Sequence, residues 1–245
     1  MTSTTASLTT AVPAQRKGLN RASAALLFLE TLLMIAPIVI LGSAINWPAS
    51  LDEPASVVLP LIAAQSSAVR LGYFLYLLYS VLFWPVALLV VRSVAGRGAP
   101  GLLLQLAAGF GVASAVLRTL GIIRWLFPMP LLAQTYVATR SEQTRATIDL
   151  IYATLNAYAG SIGEVLGVSL FAGLWMLMVS VAIMRSTHLP RWLGGFGLLV
   201  SLGLFSLMLE IIGLDLGPYI SVSVSLLHIW FLALAGVLLL RRTAV

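Results

Sequence analysis

The chain has 245 residues, of which 60% are hydrophobic and only 9% are charged, with a net charge of +6 and a mean hydropathy of +1.03. Soluble domains carry about a quarter charged residues, so this composition excludes an ordinary soluble domain and indicates a multi-pass membrane protein. Cysteine is absent, which excludes disulfides, thiolate metal sites and cysteine nucleophiles.

The N-terminal residues 1–20 are rich in Ser, Thr and Ala and have no periodicity, which predicts a disordered cytoplasmic tail. The remaining residues 21–245 are predicted to form a single membrane domain. Its first apolar run, about residues 22–45, has two interpretations. LGSA (Leu41 to Ala44) resembles a signal-peptide cleavage site, whereas the length of the run and Glu30 within it favour a retained helix.

The apolar runs predict an all-α fold with six transmembrane helices, at about residues 22–45, 71–91, 101–127, 156–184, 193–212 and 220–240. The stretch SVVLPLIAAQSSAVR, before the second of these, predicts a short helix at the interface or capping the bundle. Tyr73, Tyr76 and Trp84 in the second span are interpreted as aromatic anchors or core packing. Residues 128–155 are also compatible with helix, so Asp149 is expected near the start of a long fourth helix.

The distribution of lysine and arginine predicts the orientation of the six spans. One side has Arg16, Lys17, Arg21, Arg92, Arg97, Arg185, Arg191, Arg241 and Arg242, and the other has Arg70, Arg140 and Arg145. Cytoplasmic loops carry the excess of basic residues, so both termini are expected in the cytoplasm. This role accounts for the net charge. The bilayer is therefore the expected partner, with no nucleic acid.

Ionisable side chains inside the spans are the candidates for a functional centre, because charged groups in lipid face inward and find partners. They are Glu30, Arg118, Arg124, Glu164, Glu210 and His228. A rise of about 1.5 Å per residue places Arg118, Glu164 and Glu210 at one level in the outer half of the bundle. Arg124 is then expected above them and His228 below, with Glu30 nearer the cytoplasmic half.

Helical spacing puts these groups on faces of small and polar residues. The third span has Ala107, Gly111, Ser114, Arg118 and Gly121 on one face; the fourth has Asn156, Gly160, Gly163, Glu164 and Gly167. The fifth has Gly203, Ser206, Glu210 and Gly213, and the sixth has Ser221, Ser225 and His228. The predicted buried polar cluster is therefore Arg118, Arg124, Glu164, Glu210, His228 and Asn156, with Arg118 contacting Glu164 or Glu210.

The sequence has no GxSxG, HExxH, Walker or paired-glycine nucleotide motif, and its two histidines fall on opposite sides of the predicted topology. We therefore expect no catalytic residues, no metal site and no cofactor, and a non-enzymatic role is favoured. One hypothesis is an outward-facing intramembrane site that binds or moves a small ligand, with Arg118 holding an anionic group. The alternative is an accessory protein that acts through a protein partner and whose buried ion pairs serve only packing.

Three stretches carry a resemblance to a known family: GVASAVLRTLGIIRWLFPMPLLAQTY, ATIDLIYATLNAYAGSIGEVLG and LPRWLGGFGLLVSL. They resemble the bacterial multi-pass membrane proteins grouped as domain of unknown function family 4386. The likeness covers most of the chain after Leu71. It implies a six-span protein of the bacterial cytoplasmic membrane, with no established activity and no catalytic residues to carry over. It also places Arg118, Arg124, Glu164 and Arg191 in recurring motif positions of that family.

Overall fold

The computed structural model describes residues 8–96, 98–214 and 216–240. The described part is helical, and its main elements are α1 (Leu8–Ile45), α2 (Ala55–Ala64), α3 (Ser66–Ala95), α4 (Leu102–Ile122), α5 (Pro128–Ala138), α6 (Glu142–Gly160), α7 (Gly173–Arg185), α8 (Arg191–Ser206) and α9 (Gly217–Leu240). Arg97, Arg241, Arg242 and residues 1–7 of the predicted tail lie outside the described residues.

Six helices in this part of the chain are long and apolar enough to cross a membrane, which confirms the predicted number. They are Lys17–Ile45, Ser66–Ala95, Leu102–Ala138, Glu142–Arg185, Arg191–Ile212 and Ser221–Leu240. The first helix begins at Leu8, inside the segment predicted as a tail. The fourth is continuous from Glu142, well before the predicted start near Asn156, because the Ser141 hydroxyl caps it by accepting from the Thr144 amide at 3.2 Å.

Two departures from regular α-helix position the polar residues. The turn Ile123–Trp125 is a 3-10 helix that ends α4, and Pro128 then starts α5 at a position where a missing amide is tolerated. The segment Ser161–Ala172 between α6 and α7 is a π-helix. Widened turns of this kind are frequent at functional sites, and this one faces α4.

Close packing between α4 and the π-helix depends on glycine. A Cβ atom added to Gly121 would lie 2.7 Å from the Gly163 Cα, and one added to Gly163 would lie 3.1 Å from the Gly121 Cα. Ser114 adds a hydrogen bond, its hydroxyl donating to the Gly167 carbonyl at 2.7 Å. The predicted small-residue face of α4 is confirmed, since Ala107, Gly111, Ser114, Arg118 and Gly121 are all buried.

The apolar interior consists of two clusters along the bundle. One is centred on Phe83, Trp175, Trp230 and Phe231, toward the end of the bundle where α1 begins. The other includes residues of α2, α5, the end of α1 and the start of α3, toward the opposite end. We call that opposite end, where α1 and α4 finish and α3 begins, the cavity end.

Candidate functional site

A cavity of about 670 Å³ opens at the cavity end of the bundle. Its walls come from the connection after α1, from α3, α4, the π-helix, the 3-10 segment Leu207–Ile212 and α9. Cavities that hold small molecules usually have volumes of about 300–1,000 Å³ and apolar walls with a few convergent polar groups. The volume of this cavity lies within that range.

The cavity brings together four of the six residues that the sequence predicts for a polar cluster, namely Arg118, Arg124, Glu164 and Glu210. Asn156 is placed beside it, with its amide nitrogen donating to the carbonyl of the cavity residue Leu51 at 2.9 Å. His228 is buried deeper in the bundle and does not line the cavity. Its lower position agrees with the depth expected from its place in α9.

The ion pair at the cavity differs from the predicted one. Glu164 pairs with Arg124, whose Nη2 donates to Oε1 at 3.4 Å, and not with Arg118 as one of the two predicted contacts had it. The other predicted contact, between Arg118 and Glu210, stays a prediction. Six residues at about 100° each place Arg118 and Arg124 about 120° apart around the helix axis, so they face different neighbours. Arg124 also donates from Nη1 to the Gly121 carbonyl at 2.9 Å, which turns its guanidinium toward the π-helix.

The two partners of this ion pair differ in exposure. The Arg124 side chain is 6% exposed and the Glu164 side chain is 39% exposed, so the carboxylate is open to the cavity while the guanidinium lies in the wall. The Arg124 Nε is buried and has no hydrogen-bond partner among the described residues. Buried donors in proteins are nearly always paired, so this one marks a place where an acceptor would be stabilised.

Aromatic rings form the other wall. Tyr73 stacks on Trp125 with centroids 4.9 Å apart and planes at 3°, and Trp47 packs edge-on against Tyr76 at 5.7 Å. All four residues line the cavity. The Tyr73 hydroxyl is buried without a partner among the described residues. Of the two interpretations from sequence, anchors or core packing, Tyr73 and Tyr76 fit core packing, and they also form part of the cavity wall.

Arg118 lies at the inner wall and contacts rings. Its guanidinium carbon is 4.2 Å from the centroid of the Tyr79 ring and 4.8 Å from that of Phe83, and the residue is 4% exposed. Tyr79 and Phe83 are one turn apart on α3, so they present two ring faces to one cation. A guanidinium that is weakly hydrated and planar is suited to such stacking.

A buried polar layer around Arg118 was not predicted from the sequence. Glu30 on α1 is fully buried, and among the described residues neither of its carboxylate oxygens has a hydrogen-bond partner. Its charge interacts with Arg118 and with Tyr79. His228 on α9 packs its ring 5.6 Å from that of Tyr79 and interacts electrostatically with Arg118. We call Glu30, Tyr79, Arg118 and His228 the inner polar layer.

No metal site accompanies these groups, since the described residues contain no group of three or more His, Asp or Glu side chains that could hold an ion. The cavity has carboxylates, guanidiniums, hydroxyls and rings, which together bind by hydrogen bonding, charge and stacking. Such an arrangement is suited to holding an amphipathic molecule.

Comparison with known proteins gives one family. Residues 22–241 match the family described as Domain of unknown function (DUF4386). No curated protein and no solved structure gives a significant match. The match extends over nearly the whole described bundle, and it confirms the family resemblance carried by the three motif stretches.

Proposed function

The chain belongs to the DUF4386 family, and from that premise we propose that it is a membrane protein that binds a small amphipathic molecule in the cavity. The single observation that carries the proposal is the convergence of charged, hydroxyl and aromatic side chains on a cavity of about 670 Å³ in a protein whose spans are predominantly apolar. Intramembrane ionisable residues that face a cavity are functional candidates by default.

The chemistry of the walls indicates what the ligand carries. The arginines Arg118 and Arg124 line the cavity and favour an anionic or other acceptor group. The exposed Glu164 carboxylate favours a donor or cationic group on the same molecule. Trp47 and Tyr76 offer ring surface to an apolar part. A small molecule that carries a negative and a positive group at one end and has an apolar body fits the arginines, the carboxylate and the rings.

The orientation in the membrane is part of the proposal. The excess of lysine and arginine at the end opposite the cavity supports a cytoplasmic location of the termini, so the cavity opens to the outside of the cytoplasmic membrane. A ligand would then enter from the external face or from the outer leaflet.

We expect single introduced cysteines to report this orientation, because the chain has none of its own. Glu53→Cys lies in the exposed connection at the cavity end, and Thr187→Cys lies in the exposed α7–α8 loop at the other end. A membrane-impermeant maleimide applied to intact cells should label the first and leave the second unlabelled until the cells are permeabilised. The reverse pattern would contradict the proposed orientation.

A large side chain introduced into the cavity should prevent the ligand from binding. Ser221 and Ser225 lie one turn apart on α9 and are both exposed, but only Ser221 lines the cavity. We expect Ser221→Trp to lower the occupancy of a co-purifying small molecule about tenfold or more, equivalent to about 1.4 kcal/mol. Native mass spectrometry of the detergent-purified protein measures the bound mass.

The matched control is Ser225→Trp, which adds the same side chain to the same helix outside the cavity and should retain the bound mass. Equal occupancy in wild type, Ser221→Trp and Ser225→Trp would show that any bound molecule lies elsewhere. Absence of a bound mass in wild type after purification from native membranes and after incubation with a lipid and metabolite extract would contradict the proposal.

One observation favours a second candidate, an accessory protein that acts through a protein partner. Arg118 and Arg124 are 4% and 5% exposed, so their charges are largely enclosed by the bundle itself. Enclosed ion pairs and stacked cations can serve specificity of packing without binding a ligand. This candidate gains support if the cavity stays empty in the experiment above while the protein co-purifies with a stoichiometric membrane protein.

A further inference from the structure

The inner polar layer contains a carboxyl group that the cavity does not use. Glu30 lies within the first spanning helix, is fully buried, and has both carboxylate oxygens without a hydrogen-bond partner among the described residues. Removing an ion from water costs several kcal/mol even after local relaxation. A carboxyl group in this setting lowers its free energy by interacting with a cation or by holding a proton.

The groups that face Glu30 come from three helices. Tyr79 on α3 and Arg118 on α4 interact with Glu30. On the third helix, α9, His228 contacts the ring of Tyr79, and α2, which also packs against α1, has no titratable side chain. Arg118 is the only cation among them, and its guanidinium is already stacked on two rings, at 4.2 Å from Tyr79 and at 4.8 Å from Phe83. Arg118 therefore balances the Glu30 charge from a distance, without donating a hydrogen bond to the carboxylate.

A second unpaired acceptor lies in the same layer. The His228 Nδ1 is 2.7 Å from the Val224 carbonyl oxygen, and because a carbonyl only accepts, this nitrogen carries the ring proton. The other nitrogen, Nε2, then presents a lone pair, and it is buried with no partner among the described residues. Two proton acceptors without donors therefore lie beside a single arginine that also lines the cavity wall.

We propose that Glu30 is a proton-binding site inside the membrane domain, and that it shares Arg118 with the cavity. In one state the carboxylate is balanced by Arg118, and in the other it holds a proton that comes from water in the cavity and returns there. Only a proton moves, binding to a carboxylate oxygen and leaving it, so no other reactant is needed.

The proton site and the cavity are coupled because they share one arginine. This coupling rests on the proposed function, whereas the proton site itself does not depend on it. An anionic group in the cavity competes with Glu30 for the charge of Arg118. Binding of such a group therefore favours the protonated carboxyl, and a proton on Glu30 favours binding of the anionic group, by the same factor. The molecule would thus take up a proton together with an anionic ligand.

Infrared spectroscopy tests the proton site without any ligand. We expect the full-length protein in lipid vesicles to show a carbonyl stretching band of a protonated buried carboxyl that is lost reversibly as the pH is raised. The band should be absent in Glu30→Gln and retained in Glu142→Gln, which removes an exposed carboxylate at the start of α6. In Arg118→Gln the band should be stronger at neutral pH, because the cation that balances the carboxylate is gone.

A second measurement keeps the test valid if Glu30→Gln folds poorly. Glu30→Asp keeps a carboxyl group at this position, and the frequency of the band should shift in this variant, which assigns the band to residue 30. Gel filtration of each variant verifies its fold. A band that does not respond to pH, or pH-difference spectra that are the same in wild type and in folded Glu30→Gln, would overturn the proposal. Neither outcome depends on whether the cavity holds a ligand, so failure here is distinct from failure of the proposed function.

Discussion

Replacing Gly121 by alanine is expected to destabilise the protein by ~2–3 kcal/mol, a cost typical of overpacking a tight interface. The added Cβ would lie 2.7 Å from the Gly163 Cα and 3.0 Å from the Ala159 carbonyl oxygen. Both are backbone atoms, so they yield only if α4 and the π-helix move apart. In a chain of this length that cost lowers the midpoint of a thermal melt in detergent by roughly 4–12 °C.

Gly109 provides the control on the same helix. It is exposed, and an added Cβ would meet nothing within 4 Å. Gly109→Ala should leave the melting temperature unchanged or raise it slightly, since alanine is the better helix former by about 0.5–1 kcal/mol. Equal shifts for Gly109→Ala and Gly121→Ala would mean that the close approach of α4 to the π-helix does not exist in the folded protein.

Replacing Arg118 by leucine is expected to cost ~2–4 kcal/mol, because it leaves a buried carboxyl group without the cation that balances it. The group concerned is Glu30, fully buried with both oxygens unpaired among the described residues. The loss of stacking on Tyr79 and Phe83 adds to the cost. The free energy of unfolding in mixed micelles is the quantity to measure.

A double-mutant cycle identifies Glu30 as the partner. Arg118→Leu combined with Glu30→Leu should be more stable than Arg118→Leu alone, with a coupling energy of about 1–2 kcal/mol. Arg145→Leu is the matched control, since Arg145 also lies over a ring, that of Tyr136 at 5.6 Å, but is exposed, and it should change stability by less than about 0.5 kcal/mol. Additive effects of the Arg118 and Glu30 substitutions would exclude an interaction between them.

Much of the fold follows from the sequence because the lipid solvent imposes it. Apolar runs of spanning length predict the six helices, and the spacing of Gly111, Ser114, Arg118 and Gly121 predicts the buried face of α4. The glycine face of the fourth span also packs as predicted, with Gly163 on Gly121 and Gly167 on Arg118. Small residues in membrane helices mainly allow close packing of neighbouring helices, so their spacing predicts which helix faces are in contact.

The partners of the charged groups could not be predicted in the same way. Helical spacing gives a face and a depth, but the choice between Arg118 and Arg124 for Glu164 depends on the 3-10 turn at the end of α4 and on the π-helix opposite. Those departures come from backbone hydrogen bonds shifting by one residue, which leaves composition and periodicity unchanged. Side-chain direction at the end of a helix is therefore decided by tertiary packing.

The inner polar layer was missed for a different reason. Glu30 lies among apolar residues, with no stripe of small or polar residues around it. The sequence therefore predicts its depth in the membrane but not its interaction partner. Tyr79 and Phe83 have the composition of ordinary core aromatics, and their role as a platform for Arg118 depends on the neighbouring helix. The available signal was the presence of a carboxyl group and an arginine in spans that pack into one bundle, which predicts pairing in general.

The division of the apolar interior into two clusters has a mechanical consequence. The cluster around Trp175 and Trp230 is a rigid block of interlocked rings, with the Trp230 indole nitrogen donating to the Leu193 carbonyl at 2.9 Å. The cluster at the other end combines residues of the short helices α2 and α5 with residues near the ends of longer helices. Ionisable groups lie between the two clusters. We therefore expect the ring cluster to keep its position when a ligand binds, while the short helices α2 and α5 tilt around the ligand.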